Sequence, residues 1–142
     1  MAELSPEQVT RIEQGIVRSP YGKLLGVELG ELAEDRVSVR MPYRPDLTTV
    51  GDLVHGGAIS ALVDMAATAS FWASPSLTSG ARGTTIGFSV NFLSAARRVD
   101  LLATARVRRR GRSISTGEVS VTDGEGNEVA VALVTYKLTS AD

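Results

Sequence analysis

Val54-His55-Gly56-Gly57-Ala58-Ile59-Ser60-Ala61-Leu62-Val63-Asp64-Met65-Ala66-Ala67-Thr68-Ala69-Ser70-Phe71-Trp72 is the longest continuous apolar stretch of the 142-residue chain. Its length and its alanines predict a helix from Gly56 to about Ala73 rather than a strand, and apolar residues on nearly all sides predict burial on most of them. Ser74-Pro75 ends it. Within this run Asp64 is an anomaly. Its helical neighbours three and four residues away are Ser60, Ala61, Ala67 and Thr68, with no cation among them, and burying an unpaired acid costs several kcal/mol, roughly. Asp64 is therefore either held by a specific hydrogen bond to a neighbouring strand or used for chemistry. The two glycines before the helix allow close backbone approach, and the first-turn N–H groups with the helix dipole favour negative charge. That outlines a site that polarises a carbonyl; a turn packing the helix end on a sheet is the plainer alternative.

Outward from the helix, period-2 patterns dominate. Val37, Val39 and Met41 alternate with Arg36, Ser38 and Arg40, so Val27 to Pro42 reads as two strands around a turn near Glu34-Asp35. Tyr43 to Val54 reads as a loop. Downstream, strands are expected at Thr84–Leu93, Val99–Val107, Ser113–Thr122 and Glu128–Leu138, with Gly111 and Asp123-Gly124-Glu125-Gly126 as turns. Short turns make such strands antiparallel, a meander following the buried helix. The class is α+β, one antiparallel sheet curling around one long central helix. At the start, Ser5-Pro6-Glu7-Gln8 is a capping box with Pro in the first turn, opening a helix to about Arg18 that Ser19-Pro20 interrupts. No repeat or linker is apparent, so residues 1–142 read as a single domain with residues 1–20 as an N-terminal helical extension.

Composition narrows the function. Without cysteine and with one histidine, a disulfide framework, a Cys nucleophile and a multi-His metal site in one subunit are excluded, so no metal and no cofactor are expected. A formal charge of −1 argues against nucleic acid as a partner. No stretch approaches the roughly 18 apolar residues of a membrane span. The polar start Met1-Ala2-Glu3-Leu4-Ser5-Pro6-Glu7 lacks the apolar core of a signal peptide, so no membrane partner and a cytoplasmic location are expected.

Gly57 and Asp64 lie seven residues apart, hence on one helix face but roughly 10 Å apart along the axis. They cannot both touch one carbonyl within a subunit. If both act on one carbonyl, each site combines Gly57 of one chain with Asp64 of another, which predicts an obligate homodimer with two helices antiparallel about a two-fold axis. That expectation requires the helix to start at Gly56.

The run Val54 to Asp64, with His-Gly-Gly and an Asp nine residues after the His, resembles the signature of the PaaI-type (phenylacetyl-CoA thioesterase-like) hotdog acyl-CoA thioesterases. The resemblance extends over roughly residues 24–138, through Thr84-Thr85-Ile86-Gly87-Phe88-Ser89-Val90-Asn91-Phe92-Leu93 and the Arg110-Gly111-Arg112 turn. It implies a hotdog fold, dimers that often pair into homotetramers, and hydrolysis of acyl-CoA to free acid and CoA, with CoA as part of the substrate. By position, it implies Asp64 as general base or nucleophile, the Gly57 N–H as the carbonyl-polarising group, His55 as a positioning residue and Thr85 as the hydroxyl assisting the acid. It further implies substrate contacts from Gly56 and from the Arg110-Gly111-Arg112 turn with Ser113. Many members carry an Asn several residues before the His; here Leu47-Thr48-Thr49-Val50-Gly51-Asp52 has none, and Thr48 or Thr49 takes that place.

Arginines suit CoA phosphates because their forks bind oxyanions bidentately, though Arg106, Arg108, Arg109, Arg110 and Arg112 also read as a solvated hairpin tip. Two other functions compete with hydrolysis. One is a non-catalytic acyl-CoA binding module, against which the retained Asp64 weighs. The other is a hotdog acyl-CoA dehydratase or hydratase, which needs a His and an acid close together, whereas here about two and a half turns separate them.

Overall fold

The computed structural model describes residues 3–140. Its first helix, α1 (Pro6–Thr10), starts as expected: the Ser5 hydroxyl accepts from the Gln8 amide, and the Gln8 side chain accepts from the Ser5 N–H at 2.8 Å. The helix then widens into a π-helical segment, Arg11–Val17, whose Ile12 and Val17 are fully buried. Gln8 does a second job. Its Nε2 donates to the carbonyls of Ser74, Pro75 and Leu77 at 3.1 to 3.3 Å, tying this segment to the chain just beyond the central helix. Ser19-Pro20 ends the first helix and also starts another, α2 (Pro20–Leu25), because the Ser19 hydroxyl caps the Gly22 N–H and Pro20 occupies the first turn. The sequence reading took that dipeptide only as a stop.

Strands β1 (Glu28–Ala33) and β2 (Arg36–Met41) flank the expected turn, where Asp35 takes a φ of 60°. After a loop with two 3₁₀ turns, the central helix α3 runs from Gly56 to Trp72. It packs against β2 and against β4 (Leu101–Arg109), β5 (Ile114–Asp123) and β6 (Glu128–Thr139). Leu62, Val63, Ala66, Ala67, Ala69 and Phe71 of α3 are buried against Val37, Val39, Leu101, Ala103, Val119 and Val121 of the sheet. Burying side chains the size of Leu62, Val63 and Phe71 contributes about 1.5–3 kcal/mol each. Phe71 fits because residue 117 has no side chain: a Cβ there would stand 2.9 Å from the ring.

The sheet is antiparallel with strand order β1-β2-β4-β5-β6-β3, where β3 is Arg82–Phe92. The four-strand meander expected after α3 is thus a three-strand one. β3 does not pair with β4 but runs beside β6, from Arg82↔Thr139 to Phe92↔Ala130. The residues between β3 and β4 are too many for a tight turn. They carry the chain across the start of α3, where the Val54 N–H donates to the Ala96 carbonyl at 2.8 Å and Leu53 bridges Arg97. β2 then occupies the edge of β4 that β3 leaves vacant. β3 becomes an outer strand with a free edge, and Ile86, Phe88 and Phe92 on it are 40 to 57% exposed.

Candidate active site

Asp64 points out of α3 toward β3. Thr85 Oγ1 donates to Asp64 Oδ1 at 2.6 Å, a charge-assisted bond of the stronger kind. The carboxylate is half-buried rather than enclosed, and no cation among the described residues forms an ion pair with it. Its open side faces a cavity of about 270 Å³ lined by Gly15, Ile16, Tyr21, Ala61 and Met65. The cost of an unpaired buried acid is therefore met by one hydroxyl and by access to solvent. Thr85 is register-paired with Tyr136, whose hydroxyl accepts from Trp72 Nε1 at 2.8 Å and whose ring stacks on Phe71 at 4.9 Å. Burial pushes the Tyr136 phenol above its ordinary value; the Trp72 bond pulls the other way, and the Asp64 charge adds to the rise. Phe71 and Trp72 build the core and this aromatic cluster, with the Arg11 guanidinium 5.2 Å from the Trp72 ring centre.

At the other end of the same helix face, His55 is the N-cap of α3. Its Nδ1 accepts from the Gly57 N–H at 2.7 Å, so that nitrogen carries no proton in this arrangement. The N–H expected to polarise a carbonyl is thus covered by the imidazole, which must swing aside to expose it. His55, Gly57, Thr48, Tyr21, Leu24 and Arg44 line a second cavity of about 360 Å³. Thr48 Oγ1 donates to the Pro45 carbonyl at 2.7 Å; Thr49 is exposed and does not line this cavity. Gly56 packs under β3, since a Cβ there would meet the Phe92 ring at 3.2 Å.

The structure brings Asp64 and Thr85 together, and His55, Gly57 and Thr48 together, as two groups. Because α3 starts at Gly56, Gly57 and Asp64 remain seven helical residues apart, about 10 Å. The Arg110-Gly111-Arg112 turn lies beside the C-terminal end of α3. Arg110 serves the fold: its guanidinium donates to the Phe71 carbonyl at 3.1 Å and to Asp35 Oδ1 at 2.7 Å. Arg106 and Arg108 pair with Glu118 on the outer face of the sheet, and the Arg106 hydrogen bond holds the Glu118 carboxyl below its usual range. Arg112 is exposed, and Ser113 accepts the Leu138 N–H through its carbonyl. Among the described residues no three His, Asp or Glu side chains gather in a way that could hold a metal ion. A roomier groove of about 650 Å³ on the outer face, lined by Arg36, Arg106, Glu118 and Leu133 among others, contains none of the residues that the resemblance assigns to catalysis or substrate contact.

Tyr21, which lines both cavities, was invisible to sequence reasoning, as were Gly15 and Ile16. The only available signal was the Ser19-Pro20 cap, which marks α2 and so places Tyr21 at its second position.

A family model for the thioesterase superfamily matches residues 51–130, from the loop before α3 into β6. The chain belongs to the thioesterase superfamily. Among curated relatives, a Halobacterium salinarum protein named as a candidate esterase is 32% identical over 123 residues, covering 80% of this chain and 81% of its own. The superfamily's hotdog architecture is shared with solved structures. A thioesterase family protein from Silicibacter pomeroyi superposes with a TM-score of 0.86 at 24% identity, covering 94% of this chain and 99% of its own. The E. coli PaaI protein from the phenylacetic acid degradation operon superposes at 0.82 with 20% identity, covering 94% of each chain. At those identities the two structures speak for the fold, and membership of the superfamily makes this chain an esterase-type hydrolase.

Proposed function

We propose that this thioesterase-superfamily chain hydrolyses acyl-CoA thioesters to a free acid and CoA, in a site completed by a second copy of the chain. The observation that carries the proposal is the Thr85–Asp64 hydrogen bond at the mouth of a largely apolar cavity: a carboxylate fixed in direction and open to a small molecule. Asp64 either takes a proton from a water whose oxygen adds to the thioester carbon, or adds to that carbon itself and is freed by water afterwards. In both routes the carbonyl oxygen gains the negative charge, the C–S bond breaks as the tetrahedral species collapses, and the thiolate leaves to be protonated as CoA.

The developing oxyanion needs a donor. On α3 that donor is the Gly57 N–H at the positive end of the helix dipole, once His55 Nδ1 releases it. With about 10 Å between Gly57 and Asp64, the donor must come from the partner subunit. β3 offers a place for that partner. It is an eleven-residue edge strand with unpaired backbone groups and exposed Ile86, Phe88 and Phe92, a feature single chains ordinarily blunt or cover. Two such edges joined about a two-fold axis would set two α3 helices antiparallel. The C-terminal end of one helix, with Arg112, would then lie near the partner's Gly57 region, where the CoA phosphates could reach it. A Streptococcus pneumoniae thioesterase structure of this fold, 22% identical with a TM-score of 0.73, was solved with coenzyme A.

The test is thiol release from a panel of acyl-CoAs by wild type, Asp64→Asn and Thr85→Val. Hydrolysis should vanish in Asp64→Asn with the oligomer intact. Thr85→Val, which keeps the β-branched shape and deletes one bond to a charged group, should lower kcat by about tenfold, the equivalent of 1.4 kcal/mol. Full activity in Asp64→Asn would sink the mechanism. Acyl-CoA binding without turnover by the wild type would leave a binding module instead.

A further inference from the structure

Gly15 lies inside the π-helical segment Arg11–Val17, where glycine weakens a helix relative to alanine. Nothing in the fold asks for it. Its φ is not positive, and a Cβ built there would meet no atom within 4 Å. Yet this position borders the cavity that holds Asp64, with Ile16 from the same segment, Tyr21 from α2, and Ala61 and Met65 from α3 around it. π-Helical turns recur at functional sites, and here the widened turn presents a bare backbone to the space in front of the carboxylate.

We infer that Gly15 is a specificity-determining residue: the missing side chain keeps open the wall of an acyl pocket that accepts a medium-length apolar acyl chain. The inference rests on the hydrolytic reading above and specifies its substrate. Ile16, Ala61 and Met65 supply most of the surface beside the polar Ser19, Tyr21 and Thr68, with no charged group except Asp64 itself, which suits the acyl end of the substrate and not the phosphates. The cavity of about 270 Å³ is open on one side and has room for several methylene groups at roughly 30 Å³ each, and octanoyl serves as the medium-length member of the test panel. A Cβ at position 15 would meet no atom within 4 Å, so a longer side chain there has that space to occupy.

The experiment compares kcat/KM for acetyl-, butyryl-, octanoyl- and dodecanoyl-CoA in wild type, Gly15→Ala and Gly15→Leu, with urea unfolding as a control on the fold. The wild type should prefer octanoyl. Gly15→Leu should lose about tenfold or more on octanoyl-CoA, since each methylene forced out of an apolar pocket costs about fourfold. Acetyl- and butyryl-CoA should be nearly unaffected, and Gly15→Ala should fall between on octanoyl-CoA while melting higher than wild type. An equal loss on every chain length, or no loss on any, overturns the inference and leaves hydrolysis intact. If the wild type hydrolyses none of these substrates, the functional reading fails, and the pocket is judged by calorimetric binding of octanoate. Binding that Gly15→Leu abolishes upholds the pocket; binding absent from the wild type, or equal in both proteins, overturns it.

Discussion

The composite site can be tested by mixing two inactive variants. Asp64→Asn removes the carboxylate. Gly57→Pro removes the N–H that would polarise the carbonyl; proline is tolerated in the first turn of a helix, and the nearest atom to a Cβ at 57 is the mobile tip of His55, 2.9 Å away. Losing one oxyanion donor should lower kcat by about 10²–10³. The seven residues between the two positions put them about 10 Å apart, beyond the reach of a single carbonyl, so the two defects fall in different sites of a mixed dimer. One of its sites then has both wild-type groups and the other has neither. With equal amounts and random pairing, about half the dimers are mixed and each carries one working site, so the pool should recover roughly a quarter of wild-type activity. The assay is thiol release from the co-expressed pair, separated by two affinity tags and compared with each parent. A mixed dimer no more active than its parents would refute the trans arrangement, because both groups would then belong to one chain's site.

Two further outcomes are expected. Arg110→Ala should reduce stability to urea by about 2 kcal/mol, through loss of its bonds to Asp35 and the Phe71 carbonyl, with KM for acyl-CoA unchanged; a raised KM at unchanged stability would return Arg110 to the substrate. Tyr136 should make the fold alkali-sensitive. Its folded pKa is raised, chiefly by burial, so the neutral phenol's contribution is complete below the ordinary value near ~10 and is lost as pH rises through the folded value. Urea midpoints should therefore drop above that range in wild type and drop less in Tyr136→Phe.

Most of the fold was legible because its signals were local. The alternation in Arg36–Met41, the alanine-rich run of α3 and the Asp123–Gly126 turn each specify their own element. The position of β3 was not legible. No short turn binds it to β4, and its pairing with β6 joins residues 38 to 57 positions apart, from Phe92↔Ala130 to Arg82↔Thr139. The acid was legible as an oddity of burial, and the resemblance to known thioesterases pointed to Thr85 as its partner. The structural partners of the arginine turn were not legible, because composition shows charge and not contacts: Arg110 bonds a carbonyl and Asp35, which lies 75 residues earlier. The cavity walls from Gly15, Ile16 and Tyr21 carry no motif at all, since lining a space requires only the right size in the right place.

Gln8 bears on the order in which the molecule acquires its parts. Its side-chain amide spans 66 to 69 residues to reach Ser74, Pro75 and Leu77, and closing so wide a loop costs more chain entropy than closing the β4–β5 or β5–β6 hairpins. The segment that carries Gln8 is thus expected to dock after those hairpins have formed. Until it does, Asp64 and Thr85 can meet, but the wall contributed by Gly15, Ile16 and Tyr21 is missing. A newly folded chain would hold its carboxylate before it could tell one acyl group from another.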